Sequence, residues 1–394
     1  MNATTTTHEI VILGAGYTGM MAAARLARRT RKLEVRITLV NPSDRFTERL
    51  RMHQIAAGQE LADHRIPDVL AGSGVAFRRA TAVALDPAAR VVTLDDGAEL
   101  RYDTLIYALG SRTDTSTVPG ADHHAWTLDD PRRARRFSRR LTEIAATAGT
   151  VTVVGGGLTG IEAATEIAEA HPGLTVTLIS AAEPGNMMGD KARTHLNRAL
   201  DRLGIVRHTG VQVAKVLPDA VRLTTGELLA SDLTLWTAGV RVSPLAEQAG
   251  IAVDDRGLIL TDTTLRSVSH PDIAPIGDAA AIRMPFGVLH GTCQSGIPTG
   301  AYTADAVARR LRGKTVKPFR FGYLHQPVSL GRRDAVIQFT NADDTPRRWY
   351  LKGRAAVAYK EMVSASPVPS YKLSKHMTVS AQLSNGGSAT RGLA

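Results

Sequence analysis

Ile10-Val11-Ile12-Leu13, then Gly14-Ala15-Gly16-Tyr17-Thr18-Gly19, then the run MMAAARLARR decide how this chain is read. An apolar segment of strand length enters a glycine-rich turn and leaves it as an alanine-rich helix. Val35 to Val40 supplies the next strand, so the stretch reads as one βαβ unit. The pattern returns at Val151-Thr152-Val153-Val154, Gly155-Gly156-Gly157-Leu158-Thr159-Gly160 and IEAATEIAEA, followed by Val176-Thr177-Leu178-Ile179. In GxGxxG the first glycine permits a tight turn, the second lets the backbone approach a pyrophosphate, and the third packs helix against strand. The N-terminus of the following helix offers free N–H donors and a positive dipole to phosphate. One such loop is a weak signal, but two in strand–turn–helix context are a strong one. The chain therefore reads as α/β, with two Rossmann-like dinucleotide-binding units.

The repeat extends beyond the loops. Val75 to Thr81 and Arg90 to Leu94 read as strands, with Asp95-Asp96-Gly97 as a hairpin turn. Tyr102 to Ser111 is a buried strand ending at Gly110. After the second unit come strand patterns at Val211 to Leu217 and Ala220 to Leu223, a Thr225-Gly226 turn, and Leu233 to Gly239. Further on, His290 to Arg312 reads as a helix interrupted at Pro298. Phe319-Arg320-Phe321 and Asp334 to Phe339 read as short strands, and Arg354 to Val363 as a helix. The threonine run at the start and Ser384 to Ala394 read as loose segments.

The 394 residues exceed one typical domain, and 43% hydrophobic with 22% charged residues is an ordinary globular composition. A single cysteine, Cys293, excludes an intrachain disulfide framework, a cysteine-cluster metal site and a redox-active dithiol. Thiol cycling needs two sulfurs, so Cys293 reads as a small structural hydrophobe. The histidines, His123-His124 included, lack metal-ligand spacing, so no metal site is expected. No apolar run is long enough to cross a membrane, and the opening MNATTTTHEI does not read as a secretory signal; a cytoplasmic protein is expected, with contact at the inner membrane face left open. The +11 net charge peaks at Pro131 to Leu141, with six arginines around an apolar strip of Ala134, Phe137 and Leu141. That is the pattern of a solvated outer helix, and no nucleic-acid motif accompanies it, so no nucleic-acid partner is expected.

Four pieces in order, ILGAGYTG, YDTLIYALGS, VVGGGLTGIEAA and IAPIGDAAA, resemble the FAD-dependent pyridine nucleotide-disulfide oxidoreductases, flavoproteins with two dinucleotide-binding domains. Within that class the chain looks most like the type II NADH dehydrogenases, which are NADH:quinone oxidoreductases; LWTAGV at 235–240, CQSGIPTG at 293–300 and Gly353 to Val357 carry this closer likeness. The resemblance implies a discontinuous FAD domain (1–117 and 254–318), an inserted NAD(P)H domain (118–253) and a C-terminal α+β interface segment (319–394). It implies that Gly14, Gly16 and Gly19 hold the FAD pyrophosphate, that Gly277 and Asp278 meet the ribityl chain, that Gly110 closes the turn after its strand, and that Val83 meets the adenine. Gly155, Gly157, Gly160 and Gly239 would hold NADH or NADPH, with Glu162 near nicotinamide and flavin and Gln294 flanking the flavin.

Departures from the pattern define further expectations. The acidic residue that ends the second strand of such units is Asn41 in the first and Ser180 in the second. Asn41 can still accept a ribose hydroxyl, whereas Ser180 removes a repulsion for a 2′-phosphate; the nicotinamide choice stays open, with NADH favoured. Pro298 stands where the quinone-reducing pattern has a second glutamine. The segment Phe46 to Gly58, with Thr47 and Glu48, corresponds to one that runs beside the isoalloxazine; as a helix it would put the candidate catalytic residues Arg49 and His53 on one face. Arg347, Arg348, Lys352, Arg354, Lys360, Lys372 and Lys375 read as a solvated basic face. The expected activity is hydride transfer from NAD(P)H to FAD and electron transfer to a quinone-like small molecule. A specialised metabolite or an electron-transfer protein as acceptor, and a slow redox-sensing role, are the alternatives. A homodimer is left open.

Overall fold

Two parallel five-stranded sheets organise the protein, whose computed structural model describes residues 7–379. The first sheet has the spatial order Ile273–Pro275, Thr104–Tyr107, His8–Leu13, Val35–Asn41, Ala76–Arg79, every neighbouring pair parallel. The second has the order Val206–Thr209, Thr175–Ser180, Thr150–Val154, Leu233–Trp236, Ala125–Trp126, again parallel throughout. Each central strand is followed by its glycine loop and helix, Tyr17–Thr30 and Leu158–Ala170. Both central strands are buried almost throughout, as parallel strands covered on two faces must be. Each unit also carries an antiparallel meander, Ala82–Asp86 with Val91–Leu94 and Glu99–Arg101, and Val213–Val216 with Ala220–Leu223 and Leu228–Ala230. A short antiparallel ribbon, Ser111–Thr113 with Val240–Val242, joins the strand exits of the two units.

The helix Cys293–Arg310 packs along Tyr17–Thr30 because two glycines face its partner. A methyl group on Gly296 would come within 2.7 Å of the Thr18 side chain, and one on Gly300 would collide with the Thr18 carbonyl oxygen. The same helix pair is pinned where Asp305 accepts from Arg25 Nε at 3.0 Å and Nη2 at 2.5 Å and from Arg29 Nε at 2.6 Å. A third, antiparallel sheet of His325–Ser329, Ala335–Thr340 and Pro346–Lys352 leads into the helices Gly353–Ala365 and Pro367–Ser374.

The arginine-rich helix, Pro131–Ala145, keeps its arginines outward and buries Ala134, Phe137 and Leu141. Asp130 caps it by accepting the Arg132 and Arg133 amides. Against its apolar strip lie Met52, Ile55 and Ala56, so the segment after Phe46 inserts into the core of the second unit. No helix among the described residues is long and apolar enough to cross a membrane.

Three expectations need correction. The helix at 293–310 runs through Pro298 without interruption, started by a Thr292–Ser295 capping box. Phe319-Arg320-Phe321 forms no strand: Phe319 and Phe321 alternate with exposed Arg320 because both rings enter a cluster with Leu265, Ile282 and Tyr323, and no ladder partner lies alongside. Lys360 and Lys375 are not part of a solvated face, being 6% and 8% exposed. Ser384 to Ala394 lies outside the described residues.

Gly300→Ala should cost about 1–3 kcal/mol of stability through overpacking against the Thr18 backbone. Chemical denaturation reads this directly, and an unchanged midpoint would show that the helix pair separates easily.

Candidate active site where the two units meet

The two glycine loops share one construction. Gly14 and Gly155 have φ of +97° and +122°, a region open to glycine at no steric cost. A methyl group on Gly19 would strike the Gly14 carbonyl oxygen, and one on Gly160 the Gly155 carbonyl oxygen. At Gly16 and Gly157 a methyl group would meet nothing within 4 Å. The middle glycines thus border open space at helix N-termini that no side chain caps, as a phosphate-binding turn requires. Asn41 braces the first loop, its Oδ1 accepting the Ala15 amide at 3.0 Å and its Nδ2 donating to Ser43 O at 2.7 Å.

Ser180 is turned inward. Its hydroxyl donates to Ala182 O at 2.5 Å and lies against Gly156, where a methyl group would collide with it. Three residues on, exposed Glu183 accepts from Thr209 Oγ1 at 2.9 Å. A carboxylate is therefore present beyond the strand end, displaced from the position where the sequence pattern looks for it.

Beside the first loop, Asp278 Oδ2 accepts from Ser111 Oγ at 2.7 Å, while Oδ1 has no partner among the described residues. Gly277 and Gly110 take φ of +66° and +64° on either side of this pair. Gly291 lies under Asp278 with no room for a methyl group, and Gly239 sits at φ +73° where the joining ribbon begins. The segment that carries Thr47 and Glu48 meets the first loop through its neighbours Phe46 and Leu50: the Tyr17 hydroxyl accepts the Leu50 amide at 3.4 Å and its ring meets Phe46 edge-on. Val83 is 50% exposed on the meander. An Oδ1 without a partner among the described residues and a loop open at Gly16 fit a flavin dinucleotide; the open Gly157 loop fits a nicotinamide dinucleotide.

Arg49 and His53 do not share a face. Arg49–Arg51 forms a 3₁₀ turn and Met52–Ala56 a separate short helix, and the change of pitch rotates the two side chains apart. Arg49 reaches the Ser111 carbonyl and Asp129 at the joining ribbon. His53 is 2% exposed and faces the other unit. Gln294 is committed to backbone: its Oε1 accepts the Leu324 amide at 2.8 Å and its Nε2 donates to His325 O at 3.0 Å. Its amide therefore positions the start of the third sheet. Burial pushes the Cys293 thiol up to about 11, so it is no thiolate at neutral pH.

The site's centre is Glu162, buried in the first turns of Leu158–Ala170. Lys360 Nζ lies 2.5 Å from its Oε1, and the Ser329 amide donates to the same oxygen at 3.1 Å. His53 Nδ1 is 3.6 Å from Oε2. Burial opposes ionisation of Glu162, yet Lys360 and then His53 outweigh it and hold the carboxyl below its usual range. One turn on, Glu166 meets Arg332 at 3.4 Å and Gln59 at 2.9 Å, and Arg332 continues to Glu361 at 2.7 Å. Glu361 also receives Arg51 Nη2 at 3.3 Å. Lys360, Glu166, Ser329, Arg332 and Glu361 escaped the sequence reading. The usable signal was that the helix 353–365 holds lysine and glutamate side by side within an alanine- and valine-rich stretch.

Residues 8–306 match the family model described as pyridine nucleotide-disulphide oxidoreductase. The chain belongs to that family. This family member is an oxidoreductase. It is 34% identical over 353 residues to an NADH dehydrogenase-like protein of Mycobacterium tuberculosis, with 83% of this chain and 87% of that protein covered. It is 26% identical over 391 residues to the type II NADH:quinone oxidoreductase of Staphylococcus saprophyticus, covering 91% and 95%. Its fold is similar to that of NDH2 from Plasmodium falciparum, solved in complex with NADH, at a TM-score of 0.80 and 16% identity over 94% and 96% of the two chains.

Lys360→Met strands a buried carboxylate and should cost about 3–5 kcal/mol at pH 7. Glu162 titrates below its ordinary 4.5 in the fold, so the pair stabilises fully above that value and the contribution fades as pH falls through the folded pKa. The loss in Lys360→Met should therefore shrink on acidification, when protonation neutralises the stranded group. Urea unfolding across pH measures both, and an equal loss at every pH would refute the ion-pair account.

Proposed function

We propose that this oxidoreductase binds FAD and NADH, takes a hydride from NADH and passes the electrons to a quinone-like small molecule. When bound, the flavin supplies the exchange between a hydride from nicotinamide and electrons for the second substrate. The observation that carries the reading is the pair of glycine loops, each open at its middle glycine, with Glu162 buried where the two units meet. Gly14, Gly16 and Gly19 hold the FAD pyrophosphate, and Asp278 accepts from the ribityl hydroxyls with Ser111 fixing its other oxygen. Gly155, Gly157 and Gly160 hold the NADH pyrophosphate. The relatives named for NADH and quinone support the donor and the acceptor class. The lone cysteine supports a flavin that acts without a protein disulfide.

Selectivity for NADH rests on Glu183. With Ser180 facing inward, the Glu183 carboxylate stands at the strand end, steadied by Thr209, and its charge opposes a 2′-phosphate. Arg207, a cation on the neighbouring strand, is occupied by Asp201 at 2.5 Å and Asn197 at 3.2 Å.

Purified protein should carry an FAD absorbance spectrum that NADH bleaches, and the reduced protein should be reoxidised by soluble quinones. Protein reconstituted with FAD that NADH fails to reduce would refute the reading; reoxidation by an iron–sulfur protein but by no quinone would refute the acceptor class. NADH should exceed NADPH in kcat/KM by on the order of ten-fold or more, the equivalent of about 1.4 kcal/mol, and Glu183→Gln should narrow that ratio by raising NADPH turnover. A ratio unmoved by the substitution would remove Glu183 from this role.

A further inference from the structure

The His53 imidazole stands between two carboxylates on successive turns of one helix. Its Nδ1 is 3.6 Å from Glu162 Oε2 and its Nε2 is 3.9 Å from Glu166 Oε1. Ser329 Oγ lies 3.4 Å from His53 Nε2 and 3.3 Å from Glu162 Oε1, a hydroxyl bridge alongside the ring. His53, Glu162, Glu166 and Ser329 are each less than 7% exposed. Separations of this kind are common in proton-transfer sites before substrate tightens them.

The charged groups around the ring come from three elements: Glu162 and Glu166 from the helix 158–170, Arg332 from the turn after Ser329, and Lys360 with Glu361 from the helix 353–365. Burial drives the imidazole toward its neutral form, down to about 4, with Glu162 opposing and Lys360 and Arg332 adding. A neutral imidazole donates at one nitrogen and accepts at the other. Burial pushes the Glu166 carboxyl up to about 7, against the lowering by Arg332 and Gln59. Just below pH 7 this cluster therefore holds a proton on Glu166 and a negative charge on Glu162, with an imidazole able to act at both ends between them.

We propose that His53 is a proton shuttle from Glu166 to Glu162, serving the reduction of the second substrate. The idea rests on the proposed function, because a quinone-like acceptor takes up protons together with electrons. In the step, the O–H bond of Glu166 breaks and an N–H bond forms at Nε2. The N–H bond at Nδ1 breaks and an O–H bond forms on Glu162. One proton moves, the negative charge passes from Glu162 to Glu166, and no electrons change hands. The ring ends as its other tautomer, and the Ser329 hydroxyl offers the route by which it returns. Glu166 is reloaded on the side of Gln59, which donates to its other oxygen beside exposed Gly58 and Glu60.

The test uses the flavin-loaded holoenzyme with His53→Gln, Glu166→Gln and the double variant. Stopped-flow traces with NADH, then with a soluble quinone, separate the two half-reactions across pH. Each single variant should slow the quinone half-reaction by about 10²-fold, the usual worth of a general acid–base group, and by a larger factor than the NADH half-reaction. The double variant should be no slower than either single. Equal slowing of both half-reactions, or additive losses in the double variant, would mark a structural role and overturn the shuttle.

Stability against pH gives a readout free of turnover. His53 is lowered from 6.5 to about 4, so its stabilisation is present above 6.5 and lost as pH falls through 4. Glu166 is raised from 4.5 to about 7, so its stabilisation is present below 4.5 and lost as pH rises through 7. The opposed slopes should cancel in the parent protein between these values. Glu166→Gln should uncover a stability that rises with pH, and His53→Gln one that falls. Profiles with no such divergence would overturn the shared proton. A parent protein that NADH cannot reduce would instead refute the proposed function while leaving these profiles to judge the pair.

Discussion

A carboxylate taken out of water must be met by a cation and by hydrogen bonds, or it will not stay ionised. Glu162 meets that demand with groups drawn from three separate parts of the chain. The carboxylate comes from the helix after the second glycine loop, the imidazole from the segment after the second strand, and the ammonium from a helix near the C-terminus. Neither the helix 158–170 nor the helix 353–365 can move away alone without leaving a buried charge behind. The ion pair therefore fixes how the third sheet and its helices sit over the two nucleotide units, and through Arg332 and Glu361 it extends to Arg51. The same interaction that closes the fold also sets the charge of the candidate active site.

Glycine spacing was a reliable guide because its cause is local. Whether Gly19 can approach the Gly14 carbonyl is settled within six residues, and the same holds for Gly160 and Gly155. The two βαβ units and the helix at 353–365 followed from equally local patterns, whereas the meander strands Ala82–Asp86, Glu99–Arg101 and Leu228–Ala230 did not. Lys360 was misread because burial is a property of what packs against a helix, and its partner lies in another unit. Arg49 and His53 were misjudged for a related reason. A helical period was assumed across a join where a 3₁₀ turn hands over to an α-turn. The helix runs on through Pro298, which lies in its second turn and gives up one main-chain hydrogen bond there, and a capping box secures its start.

Polar residues that look alike in the sequence take opposite duties in three dimensions. Asn41 and Ser180 stand at equivalent places, and both turn back to brace their own loops. Gln294 spends both ends of its amide on the backbone of 324–325. By contrast Asp278 has one oxygen without a partner among the described residues. Counting which polar atoms are already satisfied separates braces from binding groups more sharply than residue type does.

The ribbon of Ser111–Thr113 with Val240–Val242 joins the strand exits of both sheets through main-chain pairing, with Gly110 and Gly239 at its two entrances. Main-chain pairing is indifferent to side-chain identity. The spacing between the two glycine loops is thus insulated from substitution, while the third sheet and the helix that follows it meet the site through side chains, Ser329 from the sheet and Lys360 from the helix. A scaffold divided in this way can exchange the chemistry at its outer face over evolutionary time and keep the distance between its two loops unchanged.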